Sequence, residues 1–173
     1  QLSNGRLILG IGAGWNAEEM ADHGTEYKTR MSLMAEKVAA LKAIWTESKP
    51  EYKGKFIDFD AMMTWPKPIQ KPHPQILVGG GFPHAAKRAI AYGDGWMPIG
   101  GRGWDVVETL PKFRQMAAEA DRNPDDIPVS IFGATDDGDL LKSYRDAGVT
   151  RTIFGLPSAG RERILPLLDT YAA

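Results

Sequence analysis

The chain of 173 residues contains no cysteine, which excludes disulfides, thiolate chemistry and cysteine-ligated metal sites. Its charge is nearly balanced, with 21 basic and 22 acidic residues for a net charge of −1, and no basic block occurs anywhere. Nothing in that pattern would drive binding to nucleic acid or to an anionic membrane. No apolar run approaches the roughly 20 residues that span a bilayer, and Gln1–Arg6 has no signal-peptide character. A soluble cytoplasmic protein is the expectation. His23, His73 and His84 are scattered without ligand spacing. They are expected at the surface, with no metal site.

What is present is enough apolar material, 43% of the residues, for one sizeable core, with no linker-like stretch to divide it. A single domain over 1–173 is expected. Apolar runs alternate with helical patterns. Leu7–Gly12 is apolar on both faces, as a strand buried on both sides would be. Met31, Met34, Val38, Leu41 and Trp45 then recur at three- and four-residue steps, which predicts a long helix with one apolar stripe. That stripe reads as helix packing, with no cofactor role for its methionines or tryptophan.

The stretch 50–74 interrupts the alternation, because Pro50, Pro66, Pro68, Pro72 and Pro74 exclude a helix. The alternating run Tyr52–Phe59 inside it leaves room for a short hairpin or an extended excursion. Strand and helix signals resume afterwards: Ile76–Val78 before a helix near His84–Tyr92, Gly95–Ile99 before Val106–Ala120, and Val129–Phe132 before Leu140–Ala147. Gly148 suits a left-handed helix end. Thr152–Phe154 and Glu162–Tyr171 close the series, with Pro166 placing the first turns of that last helix in question. Five strand–helix units imply a parallel sheet covered by helices, either doubly wound or part of a barrel.

The residues 7–16, LILGIGAGWN, hold three glycines at alternate positions where a strand would end. A dinucleotide fingerprint, G-x-G-x-x-G, needs a third glycine three residues after the second. Counted from Gly10 that place is Trp15, and counted from Gly12 it is Ala17 with no acidic strand end following; the long helix occupies that place. No Gly-Lys-Ser/Thr follows, so a Walker loop is excluded too. Two readings stand: a bare backbone against which a flat ligand lies, or a tight turn. A second cluster, Gly79-Gly80-Gly81, lies between an apolar strand and a helix start. Exposed amides and a helix dipole there favour an anion such as phosphate. Glu18 and Glu19 follow Asn16 at a helix start and read as capping charges, while Asp136-Asp137-Gly138-Asp139 lacks the later glutamate of a calcium loop and reads as a turn with a helix cap.

The segments LILGIGAGWNAEEM, EYKTRMSLMAEKVAALKAIW, PKPIQKPHPQILVGGG and AIAYGDGWMPIG, in that order, resemble the bacterial luciferase-like flavin and deazaflavin oxidoreductases, most closely their coenzyme F420-dependent branch. The resemblance implies an α/β fold of parallel strands, a partial (β/α)8 TIM barrel in which this chain supplies strands 4 to 8, N-terminally truncated by about three units. Those upstream units would carry a non-proline cis peptide bond behind the cofactor ring and often a histidine near the reactive carbon. It also implies cofactor-binding roles for Gly14, Trp15 and Asn16 beside the cofactor and substrate cleft, and for Gly79, Gly80 and Gly81 at the cofactor phosphate. Asp94 would be structural, and Arg102 falls where some relatives point a basic residue toward an anionic substrate or cofactor tail; a solvated loop arginine is the competing reading. The expected activity is hydride transfer between coenzyme F420 and a small-molecule substrate. The alternatives are an FMN-dependent monooxygenase and a non-catalytic half-barrel fragment. The open sheet edges of such a fragment predict a homo-oligomer.

Overall fold

The structure, a computed structural model, describes residues 2–101 and 105–172. It is an α/β fold built on parallel strands. β1 (Ile8–Ile11) pairs in parallel with β4 (Gln75–Gly79), and β4 with β5 (Gly95–Met97). β6 (Ser130–Ala134) pairs in parallel with β7 (Arg151–Phe154), and two parallel bridges, Trp96 to Val129 and Ile99 to Phe132, join β5 to β6. The strands thus follow one another as β1-β4-β5-β6-β7, in chain order and without reversal, which argues against the doubly wound alternative.

Helices occupy the connections: α1 (Ala17–Asp22) and α2 (Arg30–Thr46) after β1, α3 (His84–Tyr92), α4 (Val106–Glu119), α5 (Gly138–Asp146) and α6 (Arg161–Ala172). Local chemistry sets their starts. Asp105 accepts from the Val107 amide at the head of α4, and Asp137 accepts from Asp139 and Leu140 at the head of α5, so the acidic run 136–139 is a helix cap. Gly148 stands at φ +83°, just past the end of α5.

The core gathers between the middle strands and α3 and α4. Val78, Ala85, Ala89, Trp96, Leu110 and Phe113 are buried, and the rings of Trp96 and Phe113 lie 5.0 Å apart. Asp94 fastens the lower end of this region: its Oδ2 accepts from the Ile76 amide at 2.9 Å, its Oδ1 lies 3.6 Å from Lys42 of α2, and its own amide donates to the Ile76 carbonyl. Its role there is structural, as the resemblance implies.

Three expectations change. β1 is not buried on both faces: none of its four residues is buried and Ile8 is 37% exposed, because among the described residues it has a strand neighbour on one side only. His73 is not at the surface; its ring lies 6.0 Å from that of Trp45, and its side chain is 9% exposed. Pro166 does not disturb the start of α6, which is helical from Arg161. A proline there removes one N–H donor from the outer turns, and α6 has no buried face against which a kink would be felt.

In the excursion, β2 (Tyr52–Lys53) and β3 (Asp58–Phe59) form an antiparallel hairpin. Glu36 of α2 holds its tip by accepting from the backbone amides of Lys55, Phe56 and Ile57 at 2.7 to 3.1 Å. Among the described residues no helix is long and apolar enough to cross a membrane, and no group of side chains could hold a metal ion.

Candidate functional site

The C-terminal ends of β1 and β4 are neighbours in the sheet, so the two glycine turns emerge side by side. Between them lies an open cleft of about 440 Å³, within the range of small-molecule sites. Gly10, Gly12, Gly14 and Trp15 line one side, Gly79 and Gly80 the other, and Met31, Met97, Ile99 and Phe132 supply apolar walls. Gly14, Trp15, Gly79 and Gly80 are thereby brought together. Asn16 and Gly81 stand just outside. Arg102 lies outside the described residues.

Space on this floor is tight against backbone at Gly79 and against a flexible side-chain end at Gly10. A Cβ on Gly10 would come within 3.0 Å of the Met97 methyl, and one on Gly79 within 3.1 Å of the Ile11 carbonyl oxygen. Gly14 adopts φ +83°, a region costly for any residue with a Cβ. The turn it makes leaves Trp15 84% exposed on the rim. Asn16 caps α1, its Oδ1 accepting from the Glu18 and Glu19 amides at 3.1 and 3.2 Å. That leaves the acidic pair at the positive end of the helix, where the sequence suggests.

The second turn works differently from a row of three free amides. Gly80, at φ +124°, donates its amide to the Met97 carbonyl at 3.2 Å, extending the ladder between β4 and β5 by one residue. Its carbonyl accepts from the Trp96 indole at 2.9 Å. The Gly80 amide is spent on the fold. The next two amides, of Gly81 and Phe82, have no acceptor among the described residues, and a Cβ on Gly81 would meet nothing within 4 Å. An anion at this turn would be met by those two groups.

The sequence reading missed Arg88. It stands on α3 one helical turn beyond Ala85, and its Nη2 lies 3.9 Å from where a Gly80 Cβ would be. Arg88 lines the cleft, is half-buried, and makes no hydrogen bond or ion pair with any described residue. Its Nε is buried without a partner. No acidic residue lines the cleft, so this guanidinium is its one charge among the lining residues. Tyr92, one turn further along α3, offers no counter-charge, since burial pushes its phenol up from the ordinary value. The signal in the sequence was the helix HAAKRAIAY, whose alanines mark the core face and place Arg88 at its border. Met31 of the predicted apolar stripe borders the cleft, whereas Met34 packs inward.

The profile of the luciferase-like monooxygenase family matches residues 1–135. An uncharacterised protein of Mycobacterium tuberculosis is 32% identical over 99% of this chain and 60% of its own length. The chain belongs to the luciferase-like monooxygenase family. It is similar also to an F420-dependent glucose-6-phosphate dehydrogenase of Amycolatopsis mediterranei, 30% identical over 75% of this chain and 40% of that protein. An FMNH2-dependent dimethylsulfone monooxygenase of Pseudomonas putida is 30% identical over 68% of this chain and 33% of that protein. Among solved structures, an F420-dependent secondary alcohol dehydrogenase superimposes with a TM-score of 0.69 over 90% of this chain and 65% of that one, at 18% identity, a likeness of fold alone. A monooxygenase from Streptomyces bottropensis gives 0.64 over 85% of this chain and 46% of that one, at 25% identity. The chain therefore spans 60% or less of the curated relatives named here.

Proposed function

We propose that this chain is the cofactor-holding part of a deazaflavin-dependent oxidoreductase that transfers hydride between coenzyme F420 and a small organic substrate. The observation that carries the reading is the convergence of two glycine turns and an uncompensated arginine on one apolar cleft. A ligand suited to that lining has a broad apolar face and one anionic group. F420 and FMN both meet this description, with a planar ring and a phosphate.

In this reading the bound cofactor supplies the redox chemistry. The protein's part is binding and orientation. Trp15, Met31 and Phe132 would supply the apolar contacts that hold the cofactor's ring, and Arg88 would hold its phosphate. The Gly81 and Phe82 amides donate to the same group, as oriented amides before a helix do elsewhere. Asn16 holds the β1 turn in place through α1. Arg102 is proposed to face the substrate or the cofactor tail. The five strands are proposed to be strands 4 to 8 of a (β/α)8 barrel, whose exposed β1 and β7 edges pair with further strands or with a second copy. A cytoplasmic site of action fits a cofactor-dependent enzyme without cysteine.

An FMN-dependent monooxygenase is the second reading, favoured by the similarity to the dimethylsulfone monooxygenase. Fluorescence titration with both cofactors separates the two: tighter F420 binding supports hydride transfer, and tighter FMN binding supports the monooxygenase. Gly81→Asp tests the phosphate turn in the same assay. It has room for a side chain and no positive φ to strain, so its carboxylate should repel the phosphate and abolish binding while the fold persists. Gly80→Asp should abolish binding too, but at a strained position. Failure of the intact protein to bind either cofactor leaves the non-catalytic half-barrel.

A further inference from the structure

A second recess lies behind the β1 turn, and we infer that it is a separate site for a small oxyanion, a phosphate monoester or a carboxylate. Gly12 and Ala13 form the wall it shares with the cleft, and Met20, Thr25, Arg30 and Lys37 line its other sides. At about 140 Å³ it is large enough for one phosphate-sized group and too small for a fused three-ring system such as a flavin.

The lining has two cations and no acid. Arg30 is half-buried at the head of α2, its guanidinium 3.6 Å above the Tyr27 ring and its Nη1 donating to the Tyr27 carbonyl at 2.7 Å. Those contacts fix the group's direction without neutralising it. Its Nε is buried and unpartnered, and no carboxylate of the described residues lies within ion-pair distance of Arg30 or Lys37. Glu36, beside Lys37 in sequence, spends its carboxylate on the hairpin amides. The Thr25 hydroxyl has no hydrogen-bond partner among the described residues. Arg30, Lys37 and Thr25 thus border one small space, with Leu33 and Met34 as its apolar backing. Half-buried charge without a counter-ion is costly, and an oxyanion would remove that cost with charge-assisted hydrogen bonds to a planar, pre-oriented donor.

The anion has two possible sources: a free small molecule, or the anionic tail of a molecule seated in the cleft across the Gly12–Ala13 wall. The site itself does not depend on the cofactor reading. Backbone and arginine side-chain NMR of the protein, titrated with inorganic phosphate, tests it. Saturable shifts are expected at Ala13, Thr25 and the Arg30 Nε–H. Lys37→Glu, at an exposed position, should weaken them at least tenfold, and Arg30→Gln should abolish them, while shifts at Gly81 and Phe82 persist in both. Arg88→Gln should do the reverse, so the recess and the cleft fail independently. Repeating the titration with coenzyme F420 bound, whose anionic chain continues beyond the phosphate placed at Arg88, assigns the source. Undiminished phosphate shifts at Arg30 support a free anion; their loss supports a tail from the cleft. The absence of saturable shifts at Arg30, or equal affinity in Lys37→Glu, would overturn the site.

Discussion

The middle of the sheet and its two ends are made of similar residues and behave differently. Ile76, Val78 and Trp96, on β4 and β5, are fully buried, while β1 and α6 contain no buried residue at all. β1 is as apolar as β4. The difference is the number of neighbours: among the described residues β4 has a strand on each side and α3 packed on it, and β1 has a strand on one side. α6 likewise leaves Leu165 and Leu168 more than two-fifths exposed, touching the sheet through the stack of Tyr171 on Phe154. Burial is thus a property of place as much as of residue type, and the cleft sits on the seam, with one wall firm and the other loosely held.

The largest effect that follows is on stability. Phe113→Ala removes a ring 1% exposed between α4 and Trp96 and should cost about 3–5 kcal/mol in denaturant unfolding. Leu168→Ala, on α6, should cost under about 1 kcal/mol. Comparable losses at the two sites would erase the distinction between middle and end. A change of intermediate size is expected in hydrogen exchange. The amides of β4 and β5 should open only with global unfolding and those of α6 well before it, unless a second copy covers the ends, which a concentration series would reveal as rising protection.

This comparison also explains what was legible in the sequence. Strand and helix positions follow from period and punctuation, and both are local: Ile76–Val78 and Val106–Ala120 lie within a residue or two of the elements found. The hairpin at Tyr52–Phe59 was readable for the same reason. Which strand is an edge depends on partners far along the chain, so β1 looked as buried as β4. Within the site, the glycines announced the turns because glycine marks unusual backbone. They could not reveal that the Gly80 amide is consumed by Met97, a contact 17 residues away in sequence. Arg88 and Met31 were hidden because one residue's direction on a helix is fixed only once the neighbouring turn is placed.

A smaller effect concerns the excursion, which hangs on one carboxylate. Hydrogen bonds from the Phe56 amide and its neighbours hold the Glu36 carboxyl below its ordinary value of 4.5. A depressed folded value means the hairpin's anchorage is complete above that pH and is lost as pH falls through the lowered value. The 55–57 amides should therefore lose their protection below pH 4.5, before the core responds. Glu36→Gln should remove this pH dependence, and an unchanged profile in that variant would assign the effect elsewhere.

The central claim is that the cleft reads a phosphate beside a flat ring, and the most direct test compares ligands that differ only in that phosphate. FMN and riboflavin should be titrated against the protein and against Arg88→Gln, following flavin fluorescence. The account predicts that FMN binds at least about tenfold more tightly than riboflavin, as one charge-assisted pair is worth roughly 1.5–3 kcal/mol, and that Arg88→Gln removes most of this ratio while leaving riboflavin unaffected. Equal affinities for FMN and riboflavin, or a ratio that survives in Arg88→Gln, would contradict it.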